Sequence, residues 1–211
     1  MGLFLAMSGV VGVPQSSVVS ALKSFAESKG GSLTEQELTT EDKECMVLSA
    51  GVRGMTVLYP WEFFDWDGAA QYLSKYLGKP VFSFHIHDGD LWMFSLFENG
   101  KVLDQFNPLP DYWQELDPDE RLTWQGNAAK IASHLSGVSA DQIEKYLVQW
   151  TDEVLDSDER KKAYPTDQFY YGDDWQLVDF MGKLGFDYPI DDRGEAHGDT
   201  YRFECKSIED V

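Results

Sequence analysis

The sequence predicts an α+β fold with a mostly antiparallel sheet, and three patterns indicate this class. β-prone stretches alternate with stretches of helical periodicity up to residue 80. Two turn dipeptides then separate strongly β-prone runs between residues 81 and 106. Beyond residue 107 the apolar residues recur at helical spacing, which predicts a mostly helical second half.

The first part of the chain predicts a β-α-β-β-α core. A strand near the N-terminus is followed by a helix that ends at the glycine pair 30–31. Two strands, over 45–49 and 55–59, are joined by a short turn that contains glycine. The next helix has Asp67 as its predicted N-cap and Gly78 as its stop signal.

Asp88-Gly89 and Asn99-Gly100 predict a three-stranded meander over 81–106. Both dipeptides favour two-residue turns, because both central residues of such a turn need a positive φ. A two-residue second turn pairs Glu98 with Lys101. The meander extends the sheet of the first part of the chain.

The register of the first hairpin decides which side chains share a face. With a two-residue turn, His87 pairs with Asp90 and His85 pairs with Trp92. One face is then mixed in character: Ser83, His85, His87, Asp90, Trp92, Phe94 and Gln105. The opposite face is the predicted core: Phe82, Phe84, Ile86, Leu91, Met93, Phe97, Val102 and Phe106.

A proline-containing segment at 108–110 divides the chain into two predicted parts. Residues 1–107 form the α+β sheet part, and residues 108–211 form a helical, acidic half. Each predicted helix of the second half is too short to be stable by itself. We therefore expect this half to pack on the sheet as one structural unit.

Three helices are predicted in the second half, followed by a last strand. A helical stripe covers 128–135, and a second helix begins at a capping box formed by Ser139 and Gln142. A third helix has Asp173 as its predicted N-cap and Gly185 as its stop signal. The last strand alternates apolar and polar residues near the end of the sequence.

The chain is strongly acidic, with 37 Asp and Glu against 17 Lys and Arg and a formal net charge of −20. Such a charge repels phosphate backbones and anionic lipids, so we expect no direct nucleic-acid partner and no membrane partner. The most apolar stretch, 3–13, is far shorter than the ~20 residues of a membrane-spanning helix. A basic protein is the partner class that the charge favours.

Cys45 and Cys205 are too few for a disulfide framework and too far apart for a C-x-x-C motif. We expect two packed thiols in a reducing compartment. A signal peptide needs an early positive charge, but the first basic residue is Lys23. These observations predict a cytoplasmic protein.

No motif in the sequence identifies a catalytic residue. Glycine-rich phosphate loops, the nucleophile elbow and the H-E-x-x-H zinc motif are all missing from the sequence. Carboxylate pairs are abundant, and an acid/base pair needs burial to shift its pKa. The pattern favours a protein that is not an enzyme without excluding one.

His85, His87 and Asp90 form a candidate metal site. Two histidines two positions apart on a strand point to the same side, and Asp90 adds an oxygen across the turn. Two nitrogens and a carboxylate suit zinc or iron. The alternative is that both histidines simply pack in the sheet and bind no metal. A second candidate metal site is the acidic, glycine-containing run over 187–199, whose oxygen ligands would suit calcium.

Aromatic residues are numerous, with 7 Trp, 10 Tyr and 13 Phe. Several lie among acids in predicted loops, and these are the candidates for partner binding: Trp61, Trp66, Tyr112, Trp113, Trp124, Tyr170 and Tyr171. Rings provide contact area and cation–π attraction, while acids steer a basic partner toward them. The alternative is that the rings fold back as lids over the core.

Three functions stay open at this point. The first is a protein-binding or inhibitor module for a basic partner, of the same physical type as immunity proteins that neutralise basic toxins. The second is a metal-binding protein or metal-dependent enzyme that uses the two histidines. The third is a structural or regulatory module without small-molecule chemistry.

Overall fold

The computed structural model describes residues 2–155 and 161–205. Within these residues the fold is α+β and is built on one eight-stranded antiparallel sheet. The strands are β1 Leu5–Val11, β2 Ser32–Glu35, β3 Cys45–Ala50, β4 Gly54–Leu58, β5 Val81–His87, β6 Leu91–Glu98, β7 Lys101–Phe106 and β8 Asp199–Glu204. Their order across the sheet is β2-β8-β3-β4-β1-β5-β6-β7.

Four helices correspond to predicted ones, whereas two short helices, over 118–123 and 152–155, were not predicted. Their bounds are α1 Gln15–Ser28, α2 Trp66–Leu77, α3 Pro118–Thr123, α4 Ala128–Ser133, α5 Asp152–Leu155 and α6 Gln176–Leu184. Two 3₁₀ turns, Ala140–Gln142 and Glu144–Tyr146, replace the helix predicted after Ser139. The predicted capping box of Ser139 and Gln142 is present, but it begins only this short turn.

Two predicted helix ends are confirmed and two predicted helix starts are wrong. Gly78 and Gly185 end α2 and α6 in the left-handed region, with φ of 59° and 84°. Asp67 lies inside α2, which Asp65 precedes. Asp173 lies before α6, and its carboxylate accepts a hydrogen bond from the Tyr170 amide at 2.9 Å. This side chain therefore closes the preceding turn instead of capping the helix.

The sheet is covered on both faces. We call the face that packs on α1 and α2 the helix face; Val10, Val57 and Val81 lie in this core with Leu22 and Leu73 of the helices. In α1 the buried residues recur at intervals of three and four, which gives the helix one apolar stripe. The packing of this stripe on the sheet stabilises both elements.

We call the opposite face the C-terminal face, because residues after 130 cover it. Phe82 and Phe94 of the sheet share this core with Ile131, Phe180 and Phe186, and all five are at most 1% exposed. The core therefore contains side chains from both halves of the sequence. No helix of the described ranges combines the length and the apolar character needed to cross a membrane.

The register predicted for the first hairpin is wrong by one residue. Asp88 and Gly89 have the expected positive φ angles, and the Asp90 amide donates to the His87 carbonyl at 3.0 Å. Asp90 is nevertheless an extra residue before the ladder, so His87 pairs with Leu91. A shift by one residue exchanges the two faces of a strand.

This shift moves the large rings of β6 into the core. Trp92 and Phe94 lie on the C-terminal face, where their exposures are 0% and 1%. Met93 lies on the helix face, together with His85. The burial of two large rings in place of one methionine is the physical reason for the observed register. The second turn is confirmed, because Glu98 pairs with Lys101.

Candidate functional site

A cleft lies on the part of the helix face that α1 and α2 leave open. Six residues of β5 and β6 line it, among them Ser83, His85, Met93 and Ser95. These four share one face because Ser83 pairs with Ser95 and His85 pairs with Met93. Trp66, Trp113 and Trp124 line the cleft as well, and its volume is about 280 Å³.

His85 lies at the bottom of this cleft in a single hydrogen-bonded form. Its Nδ1 is 2.8 Å from the carbonyl oxygen of Leu5, and a carbonyl only accepts, so Nδ1 carries the proton. Its Nε2 then accepts from Nδ1 of His87 at 3.3 Å. Burial lowers the pKa of His85 to about 4, and His87 adds to this effect. The imidazole is therefore neutral at pH 7.

Six rings form a continuous series across this end of the sheet. We call them the aromatic row: Phe64, Trp66, His85, His87, Tyr112 and Trp113. Trp66 stacks on His85 with 3.9 Å between ring centroids, and Phe64 contacts Trp66 at 6.4 Å. His87 contacts Tyr112 at 5.7 Å and Trp113 at 4.9 Å. The histidine pair thus joins rings from two loops that are distant in sequence.

Local hydrogen bonds hold the second of these loops in place. Asp111 accepts from the Leu116 amide at 2.8 Å and forms an ion pair with Arg121 at 2.8 Å. Arg121 belongs to α3, which begins with a complete capping box at Asp117. The loop that carries Tyr112 and Trp113 is therefore fixed to a capped helix.

Four aromatic side chains of the two loops are exposed to solvent. The exposed fractions are 57% for Trp61, 65% for Phe64, 38% for Tyr112 and 52% for Trp113. Phe64, Tyr112 and Trp113 belong to the aromatic row, and Trp61 lies on the same loop as Phe64. Exposed aromatic groups of this size are typical of interaction surfaces.

Carboxylates surround these exposed rings, and some of them form no ion pair with a described residue. Asp65 forms an ion pair with Lys29 at 2.7 Å, and Asp90 accepts from the Tyr112 hydroxyl at 2.5 Å. A further group forms no ion pair with any residue in the two described ranges: Glu62, Asp67, Asp88 and Glu115. The row therefore lies in a field of negative charge.

Asp67 and Ser83 lie together in the cleft. Asp67 is exposed as a residue, yet desolvation beside the cleft raises the pKa of its carboxyl group, which the nearby Ser83 hydroxyl partly opposes. Ser83 is only 1% exposed, and its hydroxyl has no hydrogen-bond partner of standard geometry within the described structure. A buried hydroxyl without a partner costs about 1–3 kcal/mol relative to a satisfied one. The interaction of Ser83 with Asp67 relieves part of this cost.

The three predicted metal ligands lie in different environments. The two histidine nitrogens are 3.3 Å apart, whereas Asp90 is engaged by Tyr112. Within residues 2–155 and 161–205, no group of three His, Cys, Asp or Glu side chains is arranged to hold a metal ion. In the alternative calcium run, Asp191 accepts from both the backbone and the guanidinium group of Arg193.

Four of the predicted partner-binding residues lie at the aromatic row or the cleft, and the others lie elsewhere. Trp66, Tyr112 and Trp113 belong to the row, and Trp124 lines the cleft. Tyr171 packs on the core of the C-terminal face and donates its hydroxyl to the Lys145 carbonyl at 2.6 Å.

Tyr170 also lies away from the cleft lining. The ammonium group of Lys162 stands over its ring at 4.8 Å from the centroid. Sequence reasoning missed the roles of Phe64, Ser83 and Ser95. The signal for the two serines was their alternation with large apolar residues along β5 and β6.

Comparisons of this chain with protein-family models, with curated proteins and with solved structures find no match. The functional argument therefore depends on the geometry and the charge of the site.

Proposed function

We propose that this chain is a protein-binding module of the inhibitor type, which recognises a basic partner through the aromatic row and the carboxylates around it. The observation that carries the proposal is the continuity of the row, which joins exposed rings from two loops through a histidine pair. Immunity proteins that neutralise basic toxins are of this physical type.

The energetic argument has two parts. Tryptophan and tyrosine are the side chains most often responsible for binding energy at protein interfaces, where the loss of one can cost about 2 kcal/mol or more. The net charge of −20 accelerates encounter with a basic protein and repels an acidic one. The rings thus provide affinity, and the carboxylates select the partner.

We place this activity in the cytoplasm. Cys45 is a buried free thiol, as expected of a protein that functions in a reducing compartment.

The proposal is tested by the capture of partners from a lysate of the source organism. Tagged wild-type protein, a Trp113→Ala variant and a Val52→Ser control are compared at about 50 mM and about 500 mM NaCl. Val52 is 86% exposed and lies outside the row, so its substitution removes exposed apolar surface elsewhere. We expect a protein of high pI that wild type and control capture, that Trp113→Ala loses, and that high salt weakens.

A charge series completes the test. Glu115→Lys reverses an exposed carboxylate on the loop that carries Tyr112 and Trp113, and Asp192→Lys reverses an exposed carboxylate on a distant turn. We expect a larger loss of the captured protein from Glu115→Lys than from Asp192→Lys. Capture that is equal in all variants, or a captured protein that is acidic, would contradict the proposal.

A second candidate function is metal binding by His85 and His87. Two nitrogens on a tetrahedral zinc ion, each about 2.0–2.1 Å from the metal, lie about 3.3–3.4 Å apart. The observed separation of 3.3 Å between the histidine nitrogens agrees with this value, and the metal would replace the proton that His87 Nδ1 donates to His85 Nε2. Other ligands of such a site would be water or a group of a bound partner, because no described side chain completes a set of three.

Elemental analysis of protein purified without chelators tests this second candidate. Zinc or iron in a one-to-one ratio, lost in a His87→Ala variant and kept in His134→Ala, would support it. Metal well below one equivalent, together with failure of the capture experiment, would favour a structural or regulatory module.

A further inference from the structure

The cleft beside the aromatic row has the properties of a receptor for one positively charged side chain. We propose that it binds an arginine side chain of the basic partner, between the indole rings of Trp66, Trp113 and Trp124 and next to the carboxylate of Asp67. This inference rests on the proposed function, because it names the group of the partner that the protein recognises.

The lining of the cleft favours a cation over an anion. No Lys or Arg side chain is among the described residues that line it, and Asp67 is the one carboxylate of that set. The imidazole of His85 carries no charge at neutral pH, because Leu5 holds its Nδ1 proton and burial opposes a second proton. An anion would therefore find neither a Lys or Arg side chain nor a charged His85 among the described residues of this cleft.

The walls favour a planar cation over a compact one. Indole is the best aromatic partner for a cation, and a guanidinium group also stacks flat on aromatic rings. The ring of Trp66 is fixed by its stacking on His85, with 12° between the two planes. Trp113 is half exposed and stands on the loop held by α3, so a side chain can enter beside it.

The floor offers two serine hydroxyls as hydrogen-bonding groups. The Ser83 hydroxyl is buried and has no partner of standard geometry in the described structure, although it lines the cleft. Ser95 lies directly opposite it in the ladder and is 6% exposed. A guanidinium group has five N–H donors, so it can bond to a hydroxyl and to a carboxylate together.

The size of the cleft suits a single side chain. Its volume of about 280 Å³ is at the lower end of the range for small-molecule sites, which begin near 300 Å³. A folded domain or an extended peptide does not fit into such a space. The aromatic row would contact the rest of the partner, and the cleft would receive one of its residues.

The test is a titration followed by the indole N–H signals of ¹⁵N-labelled protein. The probe is acetyl-arginine N-methylamide, and the controls are the matching citrulline and lysine compounds. Citrulline has the planar shape of arginine without its charge, and lysine has the positive charge without a planar group. We expect arginine to shift the signals of Trp66, Trp113 and Trp124 and to leave that of Trp61 unchanged.

Substitutions show which side chains of the cleft contribute to the binding of arginine. We expect Trp113→Leu and Asp67→Asn each to weaken arginine binding at least about 3-fold, as a lost cation–π or charge contact implies. Trp61→Leu is the matched control, because Trp61 is exposed to a similar extent but does not line the cleft. Melting curves of each variant confirm that it is folded.

The outcomes separate this inference from the proposed function. Equal shifts with citrulline, stronger binding of lysine, or shifts confined to Trp61 would overturn the arginine cleft. Capture of a basic partner that depends on the row but not on Asp67 would overturn the cleft and leave the proposed function intact. Arginine binding at the cleft without any basic partner would overturn the proposed function and leave the cleft intact.

Discussion

His85 and its surroundings couple the stability of the fold to pH. Burial lowers the pKa of His85 to about 4, from the value of 6.5 that it has in an unfolded chain. Between these two values the unfolded state binds more protons than the folded state does. Stability from this residue is therefore complete above about pH 6.5 and is lost as the pH falls toward 4.

We expect His85→Gln to remove this part of the pH dependence, because its amide can still donate to the Leu5 carbonyl. Between pH 7.5 and 4.5 the free energy of unfolding of the wild type should fall by about 2.5 kcal/mol relative to that of the variant. Urea unfolding at the two pH values measures this difference. Parallel curves for both proteins would show that His85 is protonated equally in the folded and unfolded states.

Gly9 illustrates how closely the C-terminal face is packed. A Cβ atom at this position would lie 2.7 Å from a ring carbon of Phe84 and 3.1 Å from the ring of Phe186. Both rings are fully buried, so neither can move into solvent. We expect Gly9→Ala to lower the free energy of unfolding by about 1–3 kcal/mol, as other overpacked cores do.

The matched control for Gly9 is Gly182 in α6, where a Cβ atom would meet no heavy atom within 4 Å. Gly182→Ala should raise the free energy of unfolding by about 0.5–1 kcal/mol through its higher helix propensity. Denaturant unfolding of the two variants measures both effects. A loss of stability from both substitutions would mean that steric crowding at Gly9 is not the cause.

Among the elements, the turn between β6 and β7 depends on glycine. Asn99 and Gly100 have φ of 51° and 75°, which is the left-handed region that both central residues of this turn require. Gly100→Val should lower the free energy of unfolding by about 1–2 kcal/mol, because a β-branched residue is strained there. Lys101→Val at the start of β7 is the control, and thermal unfolding of the two variants gives the comparison. Equal melting temperatures of the two variants would show that valine at position 100 causes no backbone strain in this turn.

The two hairpins show how far sequence reasoning extends at the level of elements. Both turn dipeptides correctly located a turn, since local φ preferences are encoded in the residues themselves. The insertion of Asp90 into the first hairpin depends on which face can bury Trp92 and Phe94. That choice is made by side chains from the second half of the chain, such as Phe180. A local pattern contains no information about such packing.

In the candidate site, too, only the features that depend on local sequence were predictable. The alternation of β5 indicated that His85 and His87 lie on one face, and they contact each other there. The stacking of Trp66 on His85 joins positions 19 residues apart, and the approach of Trp113 depends on how its loop is held by α3. These long-range contacts follow from tertiary packing, which the spacing of residues does not specify.

At the scale of the whole molecule, charge is the dominant feature. A formal net charge of −20 on 211 residues opposes compaction through self-repulsion, and dissolved salt screens that repulsion. We expect the melting temperature to rise by at least about 3 °C between about 20 mM and about 500 mM NaCl. Differential scanning calorimetry at the two salt concentrations provides the measurement.

Reversal of exposed carboxylates supplies the control for the salt effect. Glu41→Lys and Asp192→Lys together reduce the net negative charge by four, and both positions are exposed. The double variant should show a smaller rise of the melting temperature with salt than the wild type does. A salt effect of the same size in both proteins would indicate ion binding at particular sites instead of general screening.

The position of β8 in the sheet has a consequence for the folding of the chain while the ribosome synthesises it. β2 is formed from residues 32–35, but its neighbour in the sheet is β8, which begins at residue 199. Until that late segment has been translated, β2 has no adjacent strand and one side of β3 is open. Loop closure over such a separation is slow, and unpaired strand edges attract other chains. The nascent chain therefore carries an incomplete sheet for most of its synthesis, and this interval is when chaperones would protect it.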